Sequence, residues 1–329
     1  MMNILRLSGS PHIATPQSTR RIMWDVVFAL LPALGVAYWY FGLNVLYLSL
    51  ISVAACVLFE FLIQKIFLRG PLTITDGSAV ITGLLLAFNV PSNLPYWMMI
   101  VGAFVAIGIA KMTFGGLGKN PFNPAIAGRI FLLISFPVEM TRWPMPFHHV
   151  PLADAITGPT ALGILKEGSA PVTQLMEKMP TYTEMAIGHI GGSLGEVSAV
   201  ALLLGAAYLL IRKVISWHIP FAFLITVAAF TGILWWNNPA ANADPLFHLL
   251  AGGLILGAFF MATDPSSSPM NAKGKLLFGL GCGIITVVIR VWGSYPEGVS
   301  FAILMMNAVV PLINKAFTPK RFGEVVNHG

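Results

Sequence analysis

The sequence predicts an all-α integral membrane protein of about ten transmembrane helices, set in two inverted five-helix repeats with broken half-helices. Three observations predict it. Hydrophobic residues make up 56% of the 329 and charged residues only 10%, against about a quarter charged in a soluble domain, so water is not the main solvent of this chain. Apolar stretches of roughly 20 residues, the length that crosses a bilayer, recur almost end to end. The stretch Gly83–Ser92 also has a counterpart in Gly257–Ser266, with Gly, Pro and Ser at one spacing.

Taken in order, the first twenty residues, with Pro11, His12, Pro16 and Gln17, lack the apolar core of a cleavable signal. Targeting then falls to the first spanning segment, about 22–41. The second, 43–67, contains Cys56, Glu60 and Lys65. The third, 74–90, carries the first copy of the repeat, and the fourth and fifth cover 94–112 and 121–136. A long polar insert, 137–194, separates these from the second set: 195–214, 217–236, 245–262 with the second copy, 275–292 and 298–317. The third, fifth and eighth segments are short or interrupted by Gly and read as half-helices flanked by irregular backbone. Five helices per half reverse the second copy relative to the first. The chain accordingly divides into 1–136, 137–194 and 195–329. Cys56 and Cys282 lie inside apolar runs and read as small packing residues. Two thiols do not complete a four-cysteine metal or iron–sulfur site, and the histidines show no metal-site spacing.

The net charge of +6 is explained by topology and calls for no nucleic acid. With the N-terminus cytoplasmic, the inner loops collect Arg6, Arg20, Arg21, Lys65, Arg69, Lys111, Lys119, Arg212, Lys213, Lys273, Lys275, Lys315, Lys320 and Arg321. Only Arg142, Lys166 and Lys178 fall outside, offset by Glu139, Asp154, Glu167, Glu177 and Glu184. The positive-inside asymmetry puts both termini in the cytoplasm and residues 137–194 on the outer face.

Within the insert, the run Asp154-Ala-Ile-Thr157-Gly158-Pro159-Thr160 is the most informative stretch. Gly158 permits a sharp turn, Pro159 fixes φ, and Thr160 opens a short apolar run that starts a helix. Read as structure alone, Thr157 or Thr160 is an N-cap; a helix start also favours a phosphate group. The run is similar to the acceptor motif of flavin transferases, in which a Thr hydroxyl takes FMN through a phosphoester. Matched residue by residue, Asp154, Thr157 and Gly158 are the recognition positions and Thr160 the acceptor. Pro159 stands where that motif carries Ala.

Ser10-Pro11-His12-Ile13, Thr75-Asp76-Gly77-Ser78-Ala79 and the run from Gly116 through Asn120-Pro121-Phe122-Asn123-Pro124 to Arg129 resemble the D subunit of the Rnf complex. The B subunit of the sodium-pumping NADH:quinone oxidoreductase shares much of the pattern. The resemblance covers essentially the whole chain, and the short stretch before the first helix is closer to the Rnf protein. It implies a subunit of a bacterial cytoplasmic-membrane translocase that moves electrons between ferredoxin and NAD and couples them to Na+ or H+ transport. It further implies covalent FMN on Thr160, a noncovalent riboflavin, other Rnf subunits as partners, and a flavin transferase for maturation. The quinone-reductase subunit, or a solute channel of similar fold, is the alternative; an FMN acceptor loop argues against the channel. Thr160 is a tether and takes no catalytic role in turnover.

Asn120 and Asn123 are the riboflavin candidates the resemblance points to. A spacing of three puts both amides on one side of a helical turn, and an amide offers donor and acceptor to a ring edge. As structure alone, both cap the fifth helix. Glu60 and Asp76, in or beside apolar segments, are ion-path candidates because a lone charge there is expensive. Pairing of Glu60 with Lys65 on the next turn would remove that need.

Overall fold

The computed structural model describes residues 18–69, 72–146, 157–168, 172–177, 179–196 and 198–318. The Ser-Pro-His-Ile stretch and Asp154 lie outside them. The first half opens with α1, Thr19–Phe41, whose N-cap Ser18 accepts from the Arg21 amide at 3.2 Å. A single residue, Gly42 at φ 72, turns the chain into α2, Leu43–Leu62, which runs on through a π-helical stretch, Ile63–Leu68. Next come α3, Ser78–Phe88, and α4, Tyr96–Phe104, the latter continuing through a π-helical Val105–Ile109. The half closes with α5, Pro124–Ser135.

The insert begins with a single turn, α6, Pro137–Met140. A two-residue hairpin follows, β1 at Trp143–Pro144 pairing antiparallel with β2 at Thr157–Gly158. Three short helices complete it: α7, Ala161–Glu167; α8, Val172–Glu177; and α9, Tyr182–Ile187. The second half holds α10, Ala199–Ile211; α11, His218–Asn237; α12, Pro245–Leu250; α13, Leu254–Leu256, extended by a π-helical Gly257–Met261; α14, Ala272–Trp292; and α15, Val299–Ala316.

Among the described residues, six helices are long and apolar enough to cross a membrane, and α3, α5 and α10 are shorter apolar helices. The chain is therefore an all-α, multi-pass membrane protein. Four of the ten expected segments fall short of an unbroken span, and three of them are the half-helices that the sequence predicts. The third and fifth segments shrink to 11 and 12 residues, roughly 16–18 Å of helix against a core about 30 Å thick. The eighth breaks at Ala251–Gly253, where Gly252 takes φ 72. The sixth, which read as a full span, is a helix of 13 residues starting at Ala199.

Close backbone approach sets the packing, as expected where lipid supplies no hydrophobic drive. A Cβ on Gly205 of α10 would fall 2.0 Å from the Ala29 carbonyl oxygen of α1. Gly279 and Gly283, four apart on α14, likewise admit α11 at Ile219 and Thr226. Large apolar side chains such as Trp39, Leu50, Ile211 and Trp236 point outward, where a soluble protein would place charge.

Short helices leave backbone carbonyls without partners, and in a membrane these must be satisfied by protein. The other half supplies them. At the end of α3 and just past it, the Phe88 and Val90 carbonyls accept from the amides of Gly195 and Leu194 at 2.7 and 3.3 Å. The Met261 carbonyl accepts from Asn123 Nδ2 at 3.1 Å. The end of α3 is thereby closed by the turn before α10, and the end of the eighth segment by the N-cap of α5.

Candidate functional site

The cavity on the side of the insert, outer in the expected topology, spans about 1170 Å³, part of it open to solvent, and is lined by Arg129, Trp143, Thr160, Tyr295, Glu297 and Phe301 among others. Thr160 reaches it because the β1–β2 ladder pairs Trp143 with Gly158 and Pro144 with Thr157, which delivers the chain to the start of α7. A Cβ on Gly158 would come within 2.8 Å of Met145 Cε, the free end of an exposed side chain that can move aside. Thr160 is the N-cap of α7, its hydroxyl oxygen accepting from the Gly163 amide at 3.0 Å. The helix cap and the acceptor position of the motif thus fall on one residue, and Thr157 lies in β2. The helix start is a weaker phosphate site than the sequence suggested, because α7 has only seven residues. Positive charge at the cavity comes instead from Arg129 and the exposed Arg142. Tyr295 and Phe301 stack with centroids 5.1 Å apart. A hydroxyl beside flat rings and guanidinium groups suits a phosphate ester of a planar heterocycle.

Behind this cavity lies a buried charge cluster that sequence reasoning missed. Arg129, in the middle of α5, and Arg290, in the last turn of α14, are each 6% exposed. Arg129 donates Nη1 to Asn89 Oδ1 at 2.9 Å and Ser300 Oγ at 2.7 Å, and ion-pairs through Nη2 with Glu297. Arg290 donates to the carbonyls of His248 and Ala251 at 2.6 and 2.9 Å, bridging the break between α12 and α13. Glu297, in the loop before α15, accepts from the Gly253 amide at 2.8 Å. Burial alone would raise its carboxyl, but Arg129 and Arg290 hold it below the usual carboxylate range. Glu196 completes the cluster from the turn before α10. A side cavity of about 390 Å³, lined by Trp143, Thr160, Glu196, Gly252, Pro296 and Glu297 among others, joins the two carboxylates to the Thr160 site. The only signal in the sequence was two carboxylates beside glycine, Gly195-Glu196 and Glu297-Gly298, in apolar surroundings.

The inner cavity spans about 740 Å³, part of it open to the surroundings, and Ser78, Lys111, Asn120, Asn123, Phe260 and Asp264 are among its lining residues. Asn120 and Asn123 meet here, though not as a helical pair, since α5 starts only at Pro124. Asn123 is the N-cap of α5, its Oδ1 taking the Ala125 and Ile126 amides at 3.0 and 3.3 Å. Asn120 caps nothing. Its Nδ2 donates to the Phe122 carbonyl at 3.0 Å, and its buried Oδ1 has no hydrogen-bond partner.

Glu60 is paired, but with Lys111 and not Lys65. Lys111 Nζ lies 2.6 Å from Glu60 Oε2 and 2.7 Å from Ser78 Oγ, both partners of the ion pair being almost wholly buried. Lys65 instead lies over the Phe61 ring. Lys111 therefore leaves the inner-loop tally. Ser78 also donates, through Oγ and N, to Asp76 Oδ1 at 2.7 Å each, so Asp76 and Glu60 stand at the two ends of one polar chain. A cation using Glu60 would have to displace an ammonium group.

The NQR2, RnfD, RnfE family model matches residues 6–323. Among curated proteins, the chain is 47% identical to the D subunit of the Na(+)-translocating ferredoxin:NAD(+) oxidoreductase complex of Acetobacterium woodii, covering 96% of this chain and 94% of that one. It is 43% identical to the D subunit of the proton-translocating ferredoxin:NAD(+) oxidoreductase complex of Clostridium ljungdahlii, over 98% and 97%. The D subunit of the ion-translocating oxidoreductase complex of Stutzerimonas stutzeri is 39% identical, over 93% of each.

Proposed function

The chain belongs to the NQR2, RnfD, RnfE family, and from that premise we propose that it is the D subunit of an Rnf-type ion-translocating oxidoreductase. In this reading FMN is esterified to Thr160 and riboflavin sits noncovalently in the inner cavity. Relatives at 47% and 43% identity are named for different ions, sodium and protons, so likeness does not choose between them.

The observation that carries the reading is that Thr160, the acceptor position of the motif, lines a solvent-open cavity spanning about 1170 Å³ together with rings and cations. Bound flavin supplies one- and two-electron chemistry, and the protein fixes its distance to neighbours and its electrostatics. Arg129 and Arg142 offer charge-assisted donors to a phosphate, and Trp143, Tyr295 and Phe301 offer flat apolar surface. In the inner cavity, the unpartnered Asn120 Oδ1 supports a ligand with an N–H at its edge, as riboflavin has. Glu60 and Asp76 would serve an ion path only through rearrangement at Lys111. The remaining Rnf subunits supply and accept the electrons, and a flavin transferase on the outer face of the bacterial cytoplasmic membrane attaches the FMN to residues 137–194.

Peptide mass spectrometry decides the attachment. A Thr160-containing peptide from cells that express the transferase is expected to carry one FMN, and Thr160→Val to carry none. An unmodified wild-type peptide, or FMN on Thr157, overturns the assignment.

A further inference from the structure

The inner cavity is edged on one side by the start of the first half and the start of the second. Ile22 and Val26 of α1 line it together with Leu209, near the end of α10, and with Val214 and Ile215 just past that helix. Leu209 is buried, but the other four are half-buried, so this edge borders the opening. Lys213 places the last two there. Its left-handed conformation, at φ 56, folds the chain back so that the Val214 amide donates to the Leu209 carbonyl at 2.9 Å.

Two fastenings hold α1 to α10, one turn apart. At the deeper one the backbones themselves meet, and a Cβ on Gly205 would overlap the Ala29 carbonyl. At the opening the tie is made by side chains. Asp25 Oδ1 accepts from the Tyr208 hydroxyl at 2.9 Å, and Arg212 Nη2 donates to Asp25 Oδ1 and Oδ2 at 3.4 and 3.2 Å. The Asp25 side chain is 12% exposed and that of Arg212 39%. An ion pair open to that degree is weak and screened by salt, so it can part while the backbone contact one turn deeper stays shut. Elsewhere on the rim, residues 263–266 are held by bonds within their own loop: Asp264 accepts from the Ser267 hydroxyl at 2.9 Å, and the Thr263 hydroxyl donates to the Phe259 carbonyl at 2.6 Å.

We propose that Asp25, Tyr208 and Arg212 form a latch across the entrance of the inner cavity, and that the noncovalent ligand enters and leaves between α1 and α10 when it opens. This rests on the riboflavin reading given above, since it takes the cavity to hold an exchangeable flavin. None of the three side chains is among those lining the cavity. The latch therefore governs passage, and the bound ligand is held by other residues, Asn120 among them. Loosening such a device speeds arrival and departure by one common factor and leaves the equilibrium constant where it was.

Riboflavin exchange on the assembled complex tests this, with radiolabelled riboflavin loaded and then chased by an excess of unlabelled riboflavin. Asp25→Asn removes hydrogen bonds to a charged group, and release should be about tenfold faster than in the wild type. Tyr208→Phe keeps the ion pair and should give a smaller acceleration in the same direction. In both variants the dissociation constant should stay at the wild-type value. The wild type needs no substitution to be tested: added salt should speed its release, and should have no such effect in Asp25→Asn. Release that neither substitution nor salt alters overturns the inference while leaving the inner flavin in place. Release that rises only in step with weaker binding also overturns it, because that marks a general loosening of the fold. A wild-type complex without exchangeable flavin overturns the riboflavin reading and the latch together.

Discussion

Thr160 has two duties, and substitutions separate them. Its hydroxyl caps α7 as well as presenting the acceptor oxygen, so Thr160→Val is expected to lose the modification and also about 1 kcal/mol of local helix stability. Thr160→Ser keeps both, and should be flavinylated, by peptide mass spectrometry, with normal thermal unfolding in detergent. At the inner cavity the ion pair gives a sharper contrast. Lys111→Met strands a buried Glu60 carboxylate and should cost about 3–5 kcal/mol, read as a drop in unfolding temperature. Lys111→Met with Glu60→Leu should recover much of it. Asn120→Leu is expected to release noncovalent flavin with little loss of stability, because Asn120 caps no helix. Asn123→Leu removes a cap as well, and should lose both. Normal flavin content in Asn120→Leu would count against the inner site. What the sequence showed at this scale was chemistry carried on a contiguous run, Thr157-Gly158-Pro159-Thr160. It did not show pairings made across distance: Lys111 reads as an interfacial lysine because its partner lies 51 positions away, and Glu196 meets Glu297 only through the fold.

Among elements, the contact of α1 with α10 depends on one glycine. Gly205→Ala must push apart two backbones that leave no room for a methyl group, whereas Gly35→Ala on the same α1 meets nothing within 4 Å. The first should lower the unfolding temperature by the equivalent of about 1–3 kcal/mol and the second should be neutral or slightly favourable. Lys166 ties the insert to the membrane helices, alongside the Tyr182 hydroxyl, which donates to Asp244 Oδ1 at 2.6 Å. Lys166 donates to the carbonyls of Ile289, Arg290 and Tyr295 at 3.0, 3.0 and 3.2 Å, capping the open end of α14. Apolar periodicity marked nearly every helix of this fold, and Gly within an apolar run marked the break in the eighth segment. It overran α10, because the expected segment 195–214 took in Glu196 at one end and Arg212 and Lys213 at the other; before the helix the Gly195 and Leu194 amides are committed to the Phe88 and Val90 carbonyls at the end of α3 instead, a tertiary demand that no local pattern announces.

For the molecule as a whole, the loop charges predict a reporter fused near Lys166 to be exported and one at Lys273 to stay inside. That prediction survives the removal of Lys111 from the inner tally, since Arg20, Arg21, Lys273 and Lys275 remain. An insert found inside the cell would separate Thr160 from its transferase. The order of the two cavities along α5 carries a further consequence. The inner cavity touches that helix at Pro124 and Ala125, and the outer one begins at Arg129, four residues on, or roughly 6 Å at the α-helical rise. Between them stand Ile126, fully buried, and the hydrogen-bonded junction of Asn89, Arg129 and Ser300. A partition of that kind stops a hydrated cation, which cannot shed its water into a packed wall, yet it is thin enough for an electron to tunnel through. With redox groups on either side, the two compartments would be electrically wired and ionically insulated, and any ion crossing here would have to wait for the wall itself to move.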